Sequence, residues 1–121
     1  MPNEINAAMP MAQQANQCLI DALTKCAQWC DQCASSVCAG DADMAQCAQL
    51  AADCASICWT TAALASRCSQ FAADMYGVCA QACSDCADEC RQFANANLQQ
   101  CAQACQNCAQ ECHQAAAVPA C

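Results

Sequence analysis

Residues Cys79–Cys90 read CAQACSDCADEC, and twenty-two residues further on Cys101–Cys112 read CAQACQNCAQEC. In each stretch four cysteines follow one another at steps of four, three and four. On a helix, where each residue turns by about 100°, these steps hold all four side chains within an arc of roughly 60°. Other helices use this spacing to present Leu to a core. The intervening Ala and Gln are strong helix formers, and the whole chain has only two Gly and three Pro. The fold therefore turns on helices whose inner faces are written in sulfur.

Working outward, the stretch belongs to the third of four helices. CAGDADMAQ, Cys38–Gln46, reads as a stop and a restart, with Gly40 at a left-handed C′ position and Asp43 with Gln46 as a capping pair. Ser66 and Ser69 offer N-caps for the third helix, Asn97 with Gln100 for the fourth, and Pro119 ends it. The expected helices lie near 11–39, 42–65, 69–95 and 98–117. Short connections make neighbours antiparallel, so the sequence predicts an all-α, up-down-up-down four-helix bundle with a Cys-lined core. Residues 1–10, with Pro2 and Pro10, read as an irregular or short-helical lead-in, and 118–121 as a tail.

The other cysteines fall into the same scheme. Cys47, Cys54 and Cys58 share a face of the second helix, with Ala51 in the gap. Cys26, Cys30 and Cys33 cluster on the first, with Cys18 toward their edge, while Cys38 points away on straight α-helical geometry. Cys68 and Met75 extend the stripe of the third helix toward its start. Sixteen thiols are thus expected to face the bundle axis, and Cys38 and Cys121 stand apart. Trp29, Trp59, Tyr76 and Phe93 read as packing groups between helices or subunits.

Composition narrows the chemistry. Cys supplies 18 of 121 residues, whereas Leu, Ile, Val and Phe together supply 13, too few for an ordinary apolar core. A free thiol behaves as a small, readily buried hydrophobe and takes their place. The first twenty residues hold neither a basic segment nor an apolar run of the kind that directs export, so the expected compartment is cytoplasmic, with thiols reduced. Net charge is −8 and the basic side chains are Lys25, Arg67 and Arg91, which excludes a basic nucleic-acid stripe and disfavours anionic membranes. No Ser/His/Asp or Cys/His arrangement stands out around the single His, and no enzymatic activity is expected.

Several readings of the thiol stripes compete. A metal-free core of Cys is one, but Ala or Val packs as well without the oxidation risk. A disulfide-stabilised structural bundle is another, and Cys58–Cys68 has the spacing of a helical-hairpin pair; thiols stacked on one face, however, point the same way and bridge poorly. The C-x3-C-x2-C runs at 26/30/33, 79/83/86 and 101/105/108 resemble an iron–sulfur motif, yet three helical copies without a Gly-rich cofactor segment argue against it. A thiolate metal store remains, holding Cu(I) or, as in a metallothionein-type buffer, zinc or cadmium. Charge favours Cu(I). One monovalent ion per thiolate leaves the interior near neutral, whereas zinc held by four thiolates leaves each site doubly negative unless sulfurs bridge.

The repeated C-x3-C-x2-C-x3-C stripes, over a bundle of this length, resemble the bacterial four-helix-bundle copper storage proteins. The likeness runs from about residue 11 to 117 and is closest to the members without a leader peptide. It implies a preformed bundle that stores many Cu(I) ions on inward thiolates, assembled as a homotetramer. Carried onto this chain, the implied ligands are Cys18, Cys26, Cys30, Cys33, Cys47, Cys54, Cys58, Cys68, Cys79, Cys83, Cys86, Cys90, Cys101, Cys105, Cys108 and Cys112. The family loads through one open end assisted by Met or His. The topology gathers Met9, Met11, Cys18, Cys68, Met75, Cys112 and His113 at one end, so Met11, Met75 and His113 are the expected loading residues there, with Met44 at the other.

Overall fold

The computed structural model describes residues 11–117, all of whose regular structure is helical. Helix α1 spans Met11–Gln32 and runs on into a π-helical turn, Cys33–Val37; a 3₁₀ turn, Ala42–Met44, leads into α2, Ala45–Ser66. Helices α3, Ala72–Cys90, and α4, Ala96–Ala117, complete the bundle. Each helix packs against its neighbours in sequence and α1 closes against α4, the square arrangement expected of an up-down-up-down bundle. The lead-in, Pro119 and Cys121 of the sequence reading lie outside the described residues.

The connections are set by local chemistry, in part by residues other than those expected. Gly40 does take the left-handed region, at φ 78°. The restart after it is capped by Asp41, whose carboxylate accepts from the Asp43 N–H at 2.9 Å, instead of by the Asp43–Gln46 pair. Asn95, not Asn97, caps α4, accepting from the N–H groups of Asn97 at 2.9 Å and Leu98 at 3.1 Å. Ser69 caps the approach to α3 by accepting from the Phe71 N–H at 3.1 Å. Ser66 instead ends α2.

The close of α2 is a Schellman motif. The Ser69 N–H bonds the Leu64 carbonyl at 2.9 Å and the Cys68 N–H bonds that of Ala65 at 3.1 Å. Cys68 occupies the left-handed position of this motif, at φ 51°, where Gly is the usual residue. Its backbone is therefore committed to the turn, and α3 begins only at Ala72.

The core is a sulfur column with hydrocarbon at its ends. Leu19, Leu23 and Leu98 are the largest fully buried side chains. Tyr76 is buried, Trp29 and Phe93 pack against the core, and Trp59 lies at the surface, its indole N–H donating to Asp31 Oδ2 at 2.8 Å. With so few branched aliphatics, each carries a large share of the apolar stabilisation. Leu23→Ala should therefore cost the metal-free, reduced bundle about 3 kcal/mol, read from urea unfolding; an unchanged midpoint would show that the sulfur column alone holds the fold.

Candidate metal centre

One register runs through the bundle. Inward positions recur at steps of four and three: 19, 23, 26, 30 and 33 on α1; 47, 51, 54, 58, 61 and 65 on α2; 72, 76, 79, 83, 86 and 90 on α3; 98, 101, 105, 108 and 112 on α4. Every one of these residues is buried. Fourteen are cysteines of the expected set, all at 0% exposure. Ala51 is the one interruption within the sulfur-bearing part of α2, and it too is fully buried.

Antiparallel packing brings the four stripes together. Across helices, Cys47 and Cys90 stand 3.4 Å apart, Cys26 and Cys105 3.6 Å, Cys54 and Cys83 3.6 Å, and Cys58 and Cys79 3.7 Å. Along helices, the i,i+4 pairs Cys26–Cys30, Cys54–Cys58, Cys79–Cys83 and Cys86–Cys90 are separated by 3.9 to 4.0 Å. Three groups of four sulfurs lie mutually within 4.8 Å: Cys26/Cys58/Cys83/Cys108, Cys26/Cys30/Cys54/Cys105 and Cys30/Cys86/Cys101/Cys105. Cys79/Cys108/Cys112 forms a fourth group of three. Since Cys26, Cys30, Cys105 and Cys108 each belong to two groups, the centre is a continuous column and its sulfurs are placed to bridge.

Two of the sixteen expected thiols are not in this column. Cys18 is exposed, because Leu19 and Leu23 hold the inward register at that end of α1. Cys68 is exposed and disulfide-bonded, turned out of line by the left-handed turn described above. Cys58, its suggested bridging partner, is a free thiol. Cys38, in contrast, is buried at 2% exposure although straight α-helical geometry turns it away. Met75 is half-buried, the inward place being taken by Tyr76, while Met11 and His113 are exposed.

The two ends of the column differ. Toward the start of α1 and the end of α4 it gives way to Leu19, Leu23, Thr61, Ala65, Ala72 and Tyr76. At the opposite end sulfur continues to the helix termini at Cys47 and Cys90, and half-buried Met44 packs against the core one step beyond Cys47. The sequence signal for the hydrocarbon end was present: Leu19 and Leu23 continue the four-three steps from Cys26.

The electrostatics are those of acids without cations. Lys25, Arg67 and Arg91 are all exposed. Burial pushes the Cys47 thiol up to about 12 from its ordinary 9.0. Cys26, Cys83 and Cys112 are raised far more, by their hydrogen bonds with neighbouring sulfurs and by burial. A thiol whose folded value lies above its unfolded one stabilises the fold below the unfolded value, and that contribution is lost as pH rises through the folded one. For Cys47 the window is pH 9 to about 12. The metal-free bundle should thus lose stability progressively above pH 9 in denaturant titrations, where a flat or rising profile would mean that the thiols are not buried as protonated groups.

The sequence profile of the copper storage protein family matches residues 11–117 of this chain. The metal-free copper storage protein 3 of Bacillus subtilis is similar at 28% identity, over 83% of this chain and 97% of that one, with a TM-score of 0.78. A cytosolic copper storage protein of Streptomyces lividans, carrying five coppers, is 31% identical over 88% of this chain and 95% of that one, with a TM-score of 0.82. A protein of Nitrosospira multiformis is 33% identical over 88% of this chain and 98% of that one, with a TM-score of 0.80. No curated protein sequence matches the chain.

Proposed function

The chain belongs to the copper storage protein family, and we propose that it stores many Cu(I) ions on the fourteen fully buried thiolates of the four-three register. The observation that carries this assignment of ligands is the continuity of the column, in which twelve of the fourteen sulfurs have another within about 4 Å and Cys112 lies within 4.8 Å of Cys79 and Cys108. Cu(I) accepts two or three soft donors, which i,i+4 pairs and their cross-helix neighbours supply. With one ion replacing one proton per thiolate, the interior stays near neutral, as burial in a basic-poor protein requires. Zinc in the same groups of four would load the interior with negative charge that no buried cation balances.

The loading end we assign differs from the one expected. Met11 and His113 are exposed, Met75 is half-buried, and Leu19, Leu23 and Tyr76 fill inward places at that end, where Cys112 of α4 is the last sulfur of the column. Support is stronger for the hairpin end, where Cys47 and Met44 carry soft donors up to the helix start. We place the protein in the cytosol, like its Streptomyces relative; none of its described helices is long and apolar enough to cross a membrane. We also take it to be a homotetramer, for which the groove floored by Leu50, Ile57 and Val78 offers apolar surface. Its role is storage, and no catalysis is proposed.

Anaerobic titration of the reduced protein with Cu(I) against a strong chelator tests the reading. Uptake should reach about one ion per buried thiol, with zinc retained only weakly in parallel; saturation after two or three coppers would refute storage. Far-UV circular dichroism should be strongly helical before any metal is added, since Leu19, Leu23, Tyr76 and Leu98 pack without it. Ala51→Cys, which completes the stripe of α2, should raise capacity by about one ion. No change in capacity would place Ala51 outside the working column.

A further inference from the structure

Cys38 is the buried thiol that the α-helical register does not account for. Five α-helical steps from Cys33 would leave it about 140° out of line, and Val37, four steps on, would occupy the inward place at about 40°. The chain does otherwise. Residues Cys33–Val37 form a π-helical turn, closed by the Cys38 N–H on the Cys33 carbonyl at 2.9 Å. One extra residue in the turn makes a five-residue step do the angular work of four, and Cys38 comes round to the inner face. The 4,3,5 steps of Cys26, Cys30, Cys33 and Cys38 are thereby the spatial equivalent of the 4,3,4 steps on α3 and α4.

The widened turn is locally supported. The hydroxyls of Ser35 and Ser36 donate to the carbonyls of Asp31 and Gln32 at 2.7 and 2.8 Å, binding the backbone acceptors around the extra residue. The exchange it makes has no packing advantage. Val37, the larger apolar side chain, is left half-buried so that a thiol is buried at 2% exposure. Cys38 faces Cys47 across the α1–α2 hairpin, and Cys47 is in turn 3.4 Å from Cys90.

We propose that Cys38 and Cys47 hold a further Cu(I) ion at the end of the column where α1 turns into α2. This rests on the storage reading and adds to it a position outside the fourteen-thiol register. Two thiolates suit a two-coordinate Cu(I) ion, and sharing Cys47 with the site around Cys90 keeps the local charge small. Cys38 is the one cysteine of the column whose residue keeps any exposure, 2% against 0% for the other fourteen. An ion held there is the outermost of the set and exchanges with external ligands first.

The test is the anaerobic Cu(I) titration run on the wild-type chain, on Cys38→Ser and on the swap Val37→Cys with Cys38→Val. The swap keeps volume and sulfur content but moves the thiol to the half-buried edge. Both variants should bind about one Cu(I) fewer than wild type, and both should lose the fastest phase of copper transfer to excess bathocuproine disulfonate. Wild-type capacity and transfer in either folded variant, checked by circular dichroism, overturns the proposal and makes Cys38 core filler. A wild-type chain that binds only a few ions instead defeats the storage reading itself, so the two failures are distinguishable. Deleting Ser35, which turns the five-residue step into four, should preserve the full count; loss of an ion there would show that the register argument is wrong.

Discussion

The structure depends on one constraint: a column of acidic sulfur enclosed in a protein that buries no cation. Fifteen thiols lie inside the bundle, and Lys25, Arg67 and Arg91 all stay at its surface. Such sulfurs have two ways to remain neutral, by keeping their protons or by exchanging them for a monovalent soft ion. Without metal the protons stay, because burial and mutual hydrogen bonding push most of these thiols upward. With Cu(I) the charge balance is conserved and the geometry need not change. Apo and loaded protein are then the same fold with different occupants of the sulfur lone pairs.

That constraint explains the division of labour along the axis. A core made only of thiols would be a weak source of apolar stabilisation, since each contributes little more than an alanine. The chain therefore keeps Leu19, Leu23 and Tyr76 at one end and Leu98 at the other, outside the sulfur segment but on the same helical steps. These residues hold the bundle closed so that binding does not have to supply the folding energy, in contrast to chains that fold only around their metal. Hydrocarbon at the α1 start also gives the column a direction, with sulfur reaching the helix termini at Cys47 and Cys90, on the side of the α1–α2 and α3–α4 connections.

Much of this was legible in the spacing of cysteines. The 4,3,4 steps at Cys79–Cys90 and Cys101–Cys112 placed eight thiols correctly, and the gap at Ala51 was visible as such. What the sequence did not reveal depended on backbone departures from the α-helix. A π-turn brings Cys38 in, and a left-handed turn at the end of α2 takes Cys68 out; neither has a residue signature as plain as a Gly or Pro. The caps at Asp41 and Asn95 lie two residues before the expected Asp43 and Asn97 for a similar reason, because several Asp and Asn side chains stand close together and only the three-dimensional turn selects among them. Cys18 stays outside the column because Leu19 and Leu23 carry the four-three steps of α1 beyond Cys26.

The claim that each stored ion replaces one proton on a buried thiol is most directly tested by counting protons as copper binds. Anaerobic titration of the reduced protein in weak buffer near neutral pH, with proton release followed by a pH indicator, gives the ratio without any assumption about geometry. About one proton should be released per Cu(I) across the filling of the column. A ratio near two, or one that falls toward zero early in the titration, would contradict it, because the interior would then gain negative or positive charge that this bundle has no means to balance.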